Sequence, residues 1–381
     1  MKLALIHDEL LVTGGSERVF RAMIREFPEA EIFTLAYNPD TSLPEFRSVE
    51  IAVSPLNRII RTHARFKALY PIASLAMSCW DFRGYDVVLT SSAHVAKDIL
   101  RFDGLHICYC HYPSRAIWTP DSYFPTGGGV KERLFRSLLP ILRRRDYRAA
   151  QRVDHFIANS QATRRAIHDF YHREACVIHA PVDFERFAMG SAERKSDHFL
   201  LVSRLEGWKH VDYAVEAFSR LRRPLRVIGE GADAPRLKAM AGPSIEFVGN
   251  VDDETLVREY GRARAVVFTP DIEWGLVPLE ANAAGTPVIA LGRSGVTETM
   301  RPVVGAPRFA ESGTAVFFAD PTPESLIDAV ERFDKIAFDR SALVRHAEAF
   351  GETQFRRKLR SEVEALAMGA TRAPARRLNA A

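Results

Sequence analysis

Apolar strand patterns alternate with amphipathic helix patterns along this chain, and they do so in two successive series. The first series contains the runs KLALI, EIFTLAY, VEIAV, DVVLTSS, HICYC, HFIANS and ACVIHA, and the second contains HFLLVS, LRVIG, IEFVG, RAVVFTP, TPVIAL and TAVFFA. Strands that are separated by helices pair in parallel, and helices then cover both faces of the sheet. The sequence therefore predicts an α/β protein with two doubly wound, mainly parallel domains.

The two series meet near Pro181–Arg186, where the segment APVD ends a strand pattern. We predict a first domain over residues 1–185 and a second over residues 186–352, followed by a helix over residues 353–368. Residues 369–381 have no apolar periodicity, and we expect them to be disordered. With 381 residues, the chain is long enough for each domain to bury its own core.

Composition excludes several functional classes. The net charge is only +4, so a general nucleic-acid binder is not indicated. The four cysteines are too few and too scattered for a disulfide framework, which fits a reducing cytoplasm. The apolar run after Lys2 breaks at His7, too early for an export signal, and no run approaches the roughly 20 residues of a membrane helix. We therefore expect a cytoplasmic protein, either soluble or peripheral on the inner face of the cytoplasmic membrane.

The segment Pro270–Ala290 places acids on a glycine-containing turn that leads into a helix around residues 279–284. Strand patterns flank it, so the turn is expected at the carboxyl edge of a parallel sheet. There the backbone N–H groups of Gly275, Leu276 and Val277 can approach a phosphate. One turn further, Glu280 can accept hydrogen bonds from ribose hydroxyls. The alternative is an ordinary crossover with solvated acids, and this segment alone does not decide between the two.

Two cations stand in the loop after the strand pattern HFLLVS. Arg204 and Lys209 lie beside a predicted helix start, where fixed positive charges can neutralise a departing diphosphate without a metal. No Asp-x-Asp motif occurs in the sequence, so we predict no metal and no other cofactor. The alternative is that both are surface charges at the N-terminus of the helix VDYAVEAF.

The first strand is followed by Gly14 and Gly15, which let the backbone approach a phosphate. Ser16 is expected to cap the helix that begins there. A plain loop is the commoner interpretation of two glycines. The dinucleotide pattern GxGxxG is absent from this turn, which argues against a nicotinamide enzyme.

His111 ends the strand pattern HICYC at the carboxyl edge of the first sheet, where ligands of α/β proteins collect. A histidine bonded only to the backbone is an equally good interpretation. Cys108 and Cys110 precede it, but structural zinc sites space their cysteines more widely, so we interpret both as reduced core thiols. Nearby, Arg115 and Trp118 are candidates for the acceptor side, or are rim residues of a loop. Arg164 is a weaker acceptor-side candidate.

These motifs belong to a longer series that covers most of the chain: GGSERVF, CHYPSRAIW, ANSQATRRAI, APVDFERF, SRLEGWKHVDYAVEAF, VIGEG, IEFVGNVDDETL, the block Trp274–Pro287 and the loop Gly292–Glu298. Each motif alone is weak evidence, but their order and spacing together are specific. In these motifs the chain resembles the retaining GT-B glycosyltransferases of the large group 1 and family 4 type, which include phosphatidylinositol and O-antigen mannosyltransferases.

The resemblance implies two Rossmann-like domains that face each other across a cleft, the first on the acceptor side and the second binding the nucleotide sugar. The helix 353–368 would cross back to the first domain. His111 would sit beside the donor sugar, where its ring bonds a hydroxyl and its carbonyl stabilises oxocarbenium charge. The loop of Gly14 and Gly15 would close over the donor phosphates.

For the second domain, the resemblance assigns the base of the donor to the stretch that includes Val248 and Asn250. Gly229 serves a turn first and contacts the donor second. The family pattern also has two glutamates that bracket the core EWGLVPLE, and at its spacing the partner of Glu280 falls on Ile272, which is not an acid. Asp271 and Glu273 flank that position, and either could take the role of the first acid at the donor sugar. We select Glu273.

Two basic stretches suggest where the acceptor comes from. Residues 58–80 carry arginines and a lysine beside apolar residues without any acid, and residues 131–148 are richer still. Such amphipathic stretches can lie on anionic lipid headgroups, although charge runs are more often solvated faces. The lipid-linked acceptors that are frequent in the resembled family favour the membrane interpretation.

The function implied is transfer of a hexosyl group to a saccharide or polyprenyl-linked acceptor in lipopolysaccharide or exopolysaccharide synthesis. The block CHYPSRAIW resembles mannosyltransferases, so GDP-mannose is the first choice of donor. A UDP-sugar-dependent glucosyl- or N-acetylglucosaminyltransferase is the alternative. Ile272 also keeps open a nucleotide-sugar epimerase or a weakly catalytic scaffold of the same fold.

Overall fold

The computed structural model describes residues 1–120, 130–305 and 308–372. The chain divides into two compact units, of which the first comprises Met1–His179 with the C-terminal segment from Phe355, and the second comprises Ala180–Gln354. The border thus lies between His179 and Ala180, slightly before the predicted border at residue 185 and just after the last strand of the first unit, which ends at Val177.

The first unit is built on a seven-stranded sheet whose paired strands all run parallel. Its strands are β1 (Leu3–His7), β2 (Glu31–Thr34), β3 (Ile51–Val53), β4 (Val87–Ser92), β5 (Leu105–Cys110), β6 (His155–Ala158) and β7 (Ala175–Val177). Its helices before the second unit are α1 (Gly15–Glu26), α2 (His63–Ala68), α3 (Tyr70–Ser78), α4 (Arg115–Trp118), α5 (Val130–Gln151) and α6 (Gln161–Tyr171), with 3₁₀ turns at Pro44–Ser48 and Pro55–Arg58.

The strand order of this sheet is β3-β2-β1-β4-β5-β6-β7. Every residue of β1 and of β4 is buried, as the continuous apolar runs predict for central strands of a covered sheet. The direction of winding reverses between β1 and β4, so the crevice outside the carboxyl ends of these two strands is the expected place for a ligand.

The second unit contains a six-stranded parallel sheet and a separate two-stranded one. Its strands are β8 (Phe199–Val202), β9 (Leu225–Ile228), β10 (Ile245–Gly249), β11 (Val266–Phe268), β12 (Val288–Leu291), β13 (Phe309–Ala310), β14 (Ala315–Phe318) and β15 (Ala337–Phe338). Its helices are α7 (Phe184–Ala188), α8 (Val211–Leu221), α9 (Ala234–Met240), α10 (Asp253–Arg262), α11 (Val277–Ala283), α12 (Val296–Thr299), α13 (Pro323–Phe333) and α14 (Arg340–Glu348), with 3₁₀ turns at Met189–Ala192 and Gly207–Lys209.

The large sheet of the second unit has the order β10-β9-β8-β11-β12-β14, so its winding reverses between β8 and β11. Apolar clusters cover this sheet, one centred on Phe199 and Phe218 and another on Leu200 and Leu279. The prediction of two doubly wound α/β domains is therefore confirmed.

The last helix, α15 (Glu352–Arg372), extends beyond the predicted end at residue 368. From Phe355 onward it belongs to the first unit. Arg356 and Arg360 both donate to the Glu26 carboxylate at the end of α1, the first of them at 2.8 Å. The remainder of the predicted tail, 373–381, lies outside the described residues. Within the described ranges, the helices are all too short or too polar to cross a bilayer.

Candidate functional site

Polar side chains collect where β1 ends, beside the switch point of the first sheet. His7, Asp8 and Glu9 follow one another here, and all three are buried. The Asp8 carboxylate accepts four consecutive backbone N–H groups from the loop after β4, those of Ala93, His94, Val95 and Ala96, at 2.6 to 2.9 Å. Burial alone raises the pKa of Asp8, but the adjacent histidines and these N–H groups outweigh it and lower the pKa. Asp8 thereby fixes the loop after β4 next to the end of β1.

His111 is the first residue after β5 and lies at this edge of the sheet, as its sequence position predicts. Its ring Nε2 lies 2.8 Å from the hydroxyl oxygen of Ser91 in β4. Its carbonyl oxygen accepts the Thr163 hydroxyl at 3.2 Å. Burial, with a smaller contribution from His7, lowers the pKa of His111 to about 3. The imidazole is therefore neutral in the physiological range and acts through hydrogen bonds rather than through charge.

The glycine loop enters α1 differently from the prediction. Gly14 is the N-cap residue in an extended conformation, and no side chain caps the helix. Ser16 lies inside the first turn and donates its hydroxyl to the Glu17 carboxylate at 3.0 Å, so the prediction that it caps α1 is wrong. A Cβ atom on Gly14 would sit 2.5 Å from a Glu17 carboxylate oxygen. The lack of a side chain at position 14 thus leaves room for the buried Glu17 carboxylate. Gly15, at the start of the helix, is exposed.

The residues assigned to the acceptor lie in different environments. Arg115 opens α4, is partly buried and stacks on the Tyr112 ring at 4.4 Å; burial lowers the pKa of its guanidinium. Trp118 donates its indole N–H to the buried Asp146 carboxylate at 2.6 Å. Arg164 is exposed on α6. Trp118 thus has a structural partner inside the first unit, whereas Arg164 presents its charge to solvent.

The described residues contain one group with metal-ligand chemistry, and it lies elsewhere. Cys108 and Cys110 are buried, and burial raises the pKa of Cys108 to about 12, so that thiol stays protonated. Ligand atoms of His155, Cys176 and Glu362 lie within 4.8 Å of one another where β6 and β7 meet α15. His155 Nε2 and a Glu362 carboxylate oxygen approach to 3.1 Å there. Burial lowers the pKa of His155, so a hydrogen bond from a neutral imidazole accounts for the contact.

At the switch point of the second unit, Thr269 joins two loops. It follows β11, and its hydroxyl donates to the carbonyl oxygen of Lys209 at 2.9 Å. Its own carbonyl accepts the hydroxyl of Tyr213 from α8. Because β8 and β11 are neighbours at the reversal of the winding, these bonds hold together the loops that carry the predicted phosphate-binding residues.

Arg204 and Lys209 flank an aromatic ring that the sequence reasoning missed. The Trp208 side chain is 44% exposed. Lys209 Nζ lies 4.1 Å from the centroid of the ring, and the guanidinium carbon of Arg204 lies 5.9 Å from it. Cation–π attraction therefore keeps both charges near one ring, although like charges repel. The signal in the sequence was a tryptophan directly before the lysine in SRLEGWK.

Backbone contacts interlock the loops after β8, β9 and β10. Gly229 has a φ of +126°, and a Cβ atom there would lie 2.0 Å from the carbonyl oxygen of the residue after β8, so only glycine fits. Its N–H donates to the Gly249 carbonyl at 2.9 Å. Asn250 is exposed and donates its side-chain amide to Glu230 at 3.0 Å. Val248 is partly buried against the apolar core.

In the loop between β11 and α11, position 272 carries a partly buried apolar residue instead of an acid. The Ile272 side chain packs against the apolar core, and a Cβ atom on Gly275 would lie 3.4 Å from it and 2.7 Å from the Phe268 ring. A carboxylate in that direction would lose its hydration. Glu273 is partly exposed, and its backbone carbonyl lies against Gly295, where a Cβ atom would approach to 2.1 Å. Asp271, on the other side of position 272, is exposed, so both acids that flank Ile272 are accessible to solvent.

Helix α11 starts at Val277, earlier than predicted, with Leu276 as its N-cap residue. Glu280 is buried in its first turn, and its Oε2 accepts the Tyr260 hydroxyl at 2.7 Å. This bond orients the carboxylate that was assigned to ribose hydroxyls, and that assignment stays a prediction. The predicted donor residues of the second unit therefore lie in loops and in the first turn of α11, on both sides of the switch point.

Two protein-family models match consecutive parts of the chain. The model described as Glycosyltransferase Family 4 matches residues 13–186, and the one described as Glycosyl transferases group 1 matches residues 181–349. The two matches meet close to the border between the units at His179 and Ala180.

Curated relatives with similar sequences include an alpha-1,3/1,6-mannosyltransferase of Candida albicans, which is 22% identical over 78% of this chain and 83% of its own length. A glycogen synthase of Mycobacterium tuberculosis is 34% identical, over 33% of this chain and 34% of its own. A D-inositol 3-phosphate glycosyltransferase of Kineococcus radiotolerans is 28% identical over 54% of this chain and 56% of its own.

Solved structures with a similar fold match almost the whole length of the chain. Anabaena HepE in complex with UDP-glucose matches with a TM-score of 0.66 and 17% identity, over 96% of this chain and 100% of HepE. The lipopolysaccharide outer core galactosyltransferase WaaB matches with a TM-score of 0.65 and 16% identity, over 96% of this chain and 99% of WaaB. At these identities the likeness concerns the fold, and it agrees with the predicted fold class.

Proposed function

Because this chain belongs to the GT-B glycosyltransferases, with a family 4 part followed by a group 1 part, we propose that it transfers a hexosyl group with retention of configuration. The donor is a nucleoside diphosphate sugar, with GDP-mannose first, and the acceptor is a saccharide or a polyprenyl-linked saccharide. The observation that carries the proposal is the pair Arg204 and Lys209 around Trp208, fixed at the switch point of the second unit through Thr269.

In the proposed reaction, the bond between the anomeric carbon and the diphosphate oxygen breaks first. Arg204 and Lys209 take up the negative charge of the leaving diphosphate, which replaces a metal in this role. The acceptor hydroxyl then attacks the same face of the sugar and passes its proton to the departing phosphate oxygen. The His111 carbonyl retains a lone pair beside its bond to Thr163, with which it stabilises positive charge on the sugar.

Remaining donor contacts follow from the loops. Gly14 and Gly15 give the backbone access to the phosphates, and Gly275 with Leu276 and Val277 does the same in the second unit. Glu273 bonds hydroxyls of the sugar, and Glu280, oriented by Tyr260, bonds the ribose. Loop backbone beside Gly229, Val248 and Asn250 receives the base.

The acceptor side is proposed to lie on the first unit, with Arg115 and Arg164 as its cations and Trp118 as part of its wall. Attachment to an anionic membrane would supply lipid-linked acceptors. Exposed apolar side chains occur on and near α3 and α5, namely Ile59, Ile72, Leu75, Leu134 and Ile141. Exposed cations accompany them at Arg58, Arg61, Arg65, Lys67, Arg144 and Arg148. We call these eleven residues the basic region.

Two arginines of the basic stretch 131–148 bond to other parts of the first unit. Arg145 joins α3 and α5, since its guanidinium donates to Ser74 and Ser78 and pairs with Asp98 at 2.8 Å. Arg143 donates to the backbone carbonyl of Ile117 at 2.9 Å. These two arginines of the basic sequence stretch therefore brace the fold, and the membrane contact is left to the exposed cations.

The first experiment is a thermal-shift panel with GDP, UDP, GDP-mannose, UDP-glucose and NAD, without added metal and with a chelator. A ligand that binds only the native state raises the melting temperature, by the equivalent of about 2.7 kcal/mol at a hundredfold excess over Kd. We expect GDP and GDP-mannose to stabilise the protein most. Transfer from the selected donor is then followed on polyprenyl-linked and free saccharide acceptors, and the anomeric configuration of the product is read by NMR.

A UDP-sugar donor is the second candidate, favoured by the fold likeness to HepE, whose structure holds UDP-glucose. Preference for UDP compounds in the panel would select it. The core-facing Ile272 favours a third candidate, an epimerase or a weakly catalytic scaffold. An epimerase would consume donor without acceptor, and a scaffold would bind nucleotide without turnover. Absence of any nucleotide-dependent stabilisation would refute the proposal as a whole.

A further inference from the structure

A continuous series of polar side chains leads from the first turn of α1 to His111, all within the first unit. The hydroxyl oxygen of Ser91 lies 2.8 Å from His111 Nε2 and 3.0 Å from His7 Nδ1. The other ring nitrogen of His7, Nε2, lies 4.0 Å from Glu17 Oε1. Ser91 therefore bridges the two imidazoles, and Glu17 faces the far side of His7.

The series is shielded from solvent. Glu17 is 4% exposed, His7 is 2% exposed and Ser91 is fully buried. The His7 ring stacks on Phe20 with centroids 4.8 Å apart, which fixes its plane. The Glu17 carboxylate also accepts the Ser16 hydroxyl at 3.0 Å. A buried polar group that lacks a partner costs free energy, so each hydrogen position in this series depends on its neighbours.

Those hydrogen positions follow from one another. Burial raises the pKa of Glu17, but the nearby His7 and the hydrogen bonds from its own backbone N–H and from Ser16 outweigh burial and lower the pKa, so Glu17 is a carboxylate. A carboxylate favours the His7 tautomer with hydrogen on Nε2. With a single hydrogen on the His7 ring, and that hydrogen on Nε2, Nδ1 is an acceptor and Ser91 must donate its only hydrogen to it. The Ser91 oxygen can then only accept from His111, which places the His111 hydrogen on Nε2.

We propose that Glu17, His7 and Ser91 are positioning residues that hold His111 as the neutral imidazole protonated at Nε2. The opposite tautomer of His111 would require Ser91 to accept from His7 Nδ1. With its one hydrogen on Nδ1, His7 would direct the Nε2 lone pair toward the Glu17 carboxylate, and the two would repel each other. Only a second hydrogen, on Nε2, would remove this repulsion. Glu17 thus selects, through two intermediate groups, which nitrogen of His111 carries the hydrogen.

Other charged groups face the same imidazole. Asp8 and His94 act on His111 together with His7 and Glu17. Asp8 is a carboxylate whose oxygens accept the four backbone N–H groups described above, so it donates no hydrogen to the series. Glu9, the next acid of this strand end, bonds to His63 instead.

The inference rests on the proposed function for its chemical meaning. With hydrogen on Nε2, the Nδ1 atom of His111 is a hydrogen-bond acceptor. It would then accept from a hydroxyl of the donor sugar and hold the sugar in one orientation for same-face attack. A donor-type Nδ1–H would instead compete for the oxygen lone pairs of the sugar.

The test uses the full-length protein with ¹⁵N-labelled histidines and long-range ¹H–¹⁵N correlation spectra, in which the two ring nitrogens of each neutral histidine are told apart. Ser91→Ala breaks the bridge. Ser92→Ala is the matched control: Ser92 is adjacent, 1% exposed, and its buried hydroxyl has no hydrogen-bond partner within the described residues. Glu17→Gln removes the charge with little change of shape. His111→Gln identifies the His111 signals.

We expect the wild type and Ser92→Ala to show His111 with hydrogen on Nε2. Ser91→Ala and Glu17→Gln should show a mixture of both tautomers. With the donor that the wild type turns over, kcat in both variants should fall on the order of 10- to 100-fold while KM changes little. If Ser91→Ala does not fold, Glu17→Gln carries the test alone.

A His111 spectrum that is the same in Glu17→Gln, Ser91→Ala and the wild type would overturn the inference, and so would an equal disturbance by Ser92→Ala. The tautomer is read without any sugar nucleotide. Failure of the proposed function, which would appear as a wild type inactive with every donor, is therefore distinguishable from failure of the positioning series.

Discussion

Thr269 and Lys209 are joined by a hydrogen bond from the threonine hydroxyl to the lysine carbonyl, 2.9 Å long. Thr269 is 1% exposed, so water cannot replace the bond if it is lost. The contact sets the position of the Lys209 backbone relative to β11, and with it the position of the lysine charge at the sheet edge.

Substitution Thr269→Val keeps the side-chain shape and removes the hydroxyl. We expect it to lower the free energy of unfolding by about 1 to 2 kcal/mol, because a carbonyl next to a buried site loses its partner. The affinity for GDP should fall as well, since Lys209 is released. Denaturant titration and calorimetric titration with GDP measure the two effects. Thr322→Val, which removes the cap of α13, is the control: it should destabilise by about 1 kcal/mol without weakening GDP binding.

Lys209→Ala should abolish most turnover and leave the fold intact. Its ammonium group sits on the partly exposed Trp208 ring, so little packing is lost, whereas the leaving diphosphate loses a cation. We expect kcat to fall on the order of a hundredfold or more in steady-state assays with the selected donor. The exposed Lys335→Ala serves as control. Turnover near that of the wild type would refute the phosphate role of Lys209.

Acid should destabilise the first unit through the partly buried His94. Burial lowers the pKa of His94 to about 4 from the ordinary value of 6.5. The unfolded chain therefore binds a proton that the folded chain resists. The stability that His94 contributes is complete above about pH 6.5 and is lost as the pH falls toward about 4.

Substitution His94→Phe removes this titration and keeps a ring against Phe66 and Tyr70. The free energy of unfolding falls when the pH is lowered from about 7 to about 5. We expect this fall to be smaller in His94→Phe than in the wild type, by on the order of 2 kcal/mol. Denaturant titrations at the two pH values measure this difference. The exposed His168→Gln should leave the acid sensitivity as it is. An unchanged pH dependence in His94→Phe would show that other groups dominate it.

The basic region should bind anionic vesicles. The double substitution Ile72→Asp with Leu75→Asp places like charge on side chains that are now exposed and apolar. We expect it to reduce sedimentation with phosphatidylglycerol vesicles at least tenfold, and salt to weaken the wild-type binding. Met189→Asp, an exposed apolar residue of the second unit, should sediment like the wild type. If the double variant bound the vesicles as strongly as the wild type, the proposed attachment to an anionic membrane would be refuted.

Much of the fold could be predicted from the sequence because its central strands are continuous apolar runs. β1 and β4 were found where the sequence predicts them, since strands covered on both faces need apolar side chains on both. The boundary of α11 was less accurate, because the helix begins at Val277 inside a stretch without a side-chain cap. The serine cap of α1 failed because Gly14 takes the N-cap position and Ser16 finds an acid in its own turn.

The candidate site could be predicted only where its residues are close together in the sequence. Arg204 and Lys209 share a loop and were found together, although the aromatic ring between them was not used. The polar series of the first unit was not predicted. It consists of Glu17, His7, Ser91 and His111, which lie on α1 and near the ends of three strands. These elements are far apart in the sequence, so no motif spacing indicates the contacts. Likewise, the inward direction of the Ile272 side chain depends on how a loop folds over Phe268.

The first unit is discontinuous in the chain, and this shapes how the protein is made. Glu26 is separated in the sequence from its partners Arg356 and Arg360 by 330 and 334 residues, and the whole second unit lies between them. The second unit is contiguous and can complete its core during synthesis, whereas the part of the first unit that precedes it must wait until α15 has been made. That earlier part therefore needs protection from premature association while the second unit is being synthesised.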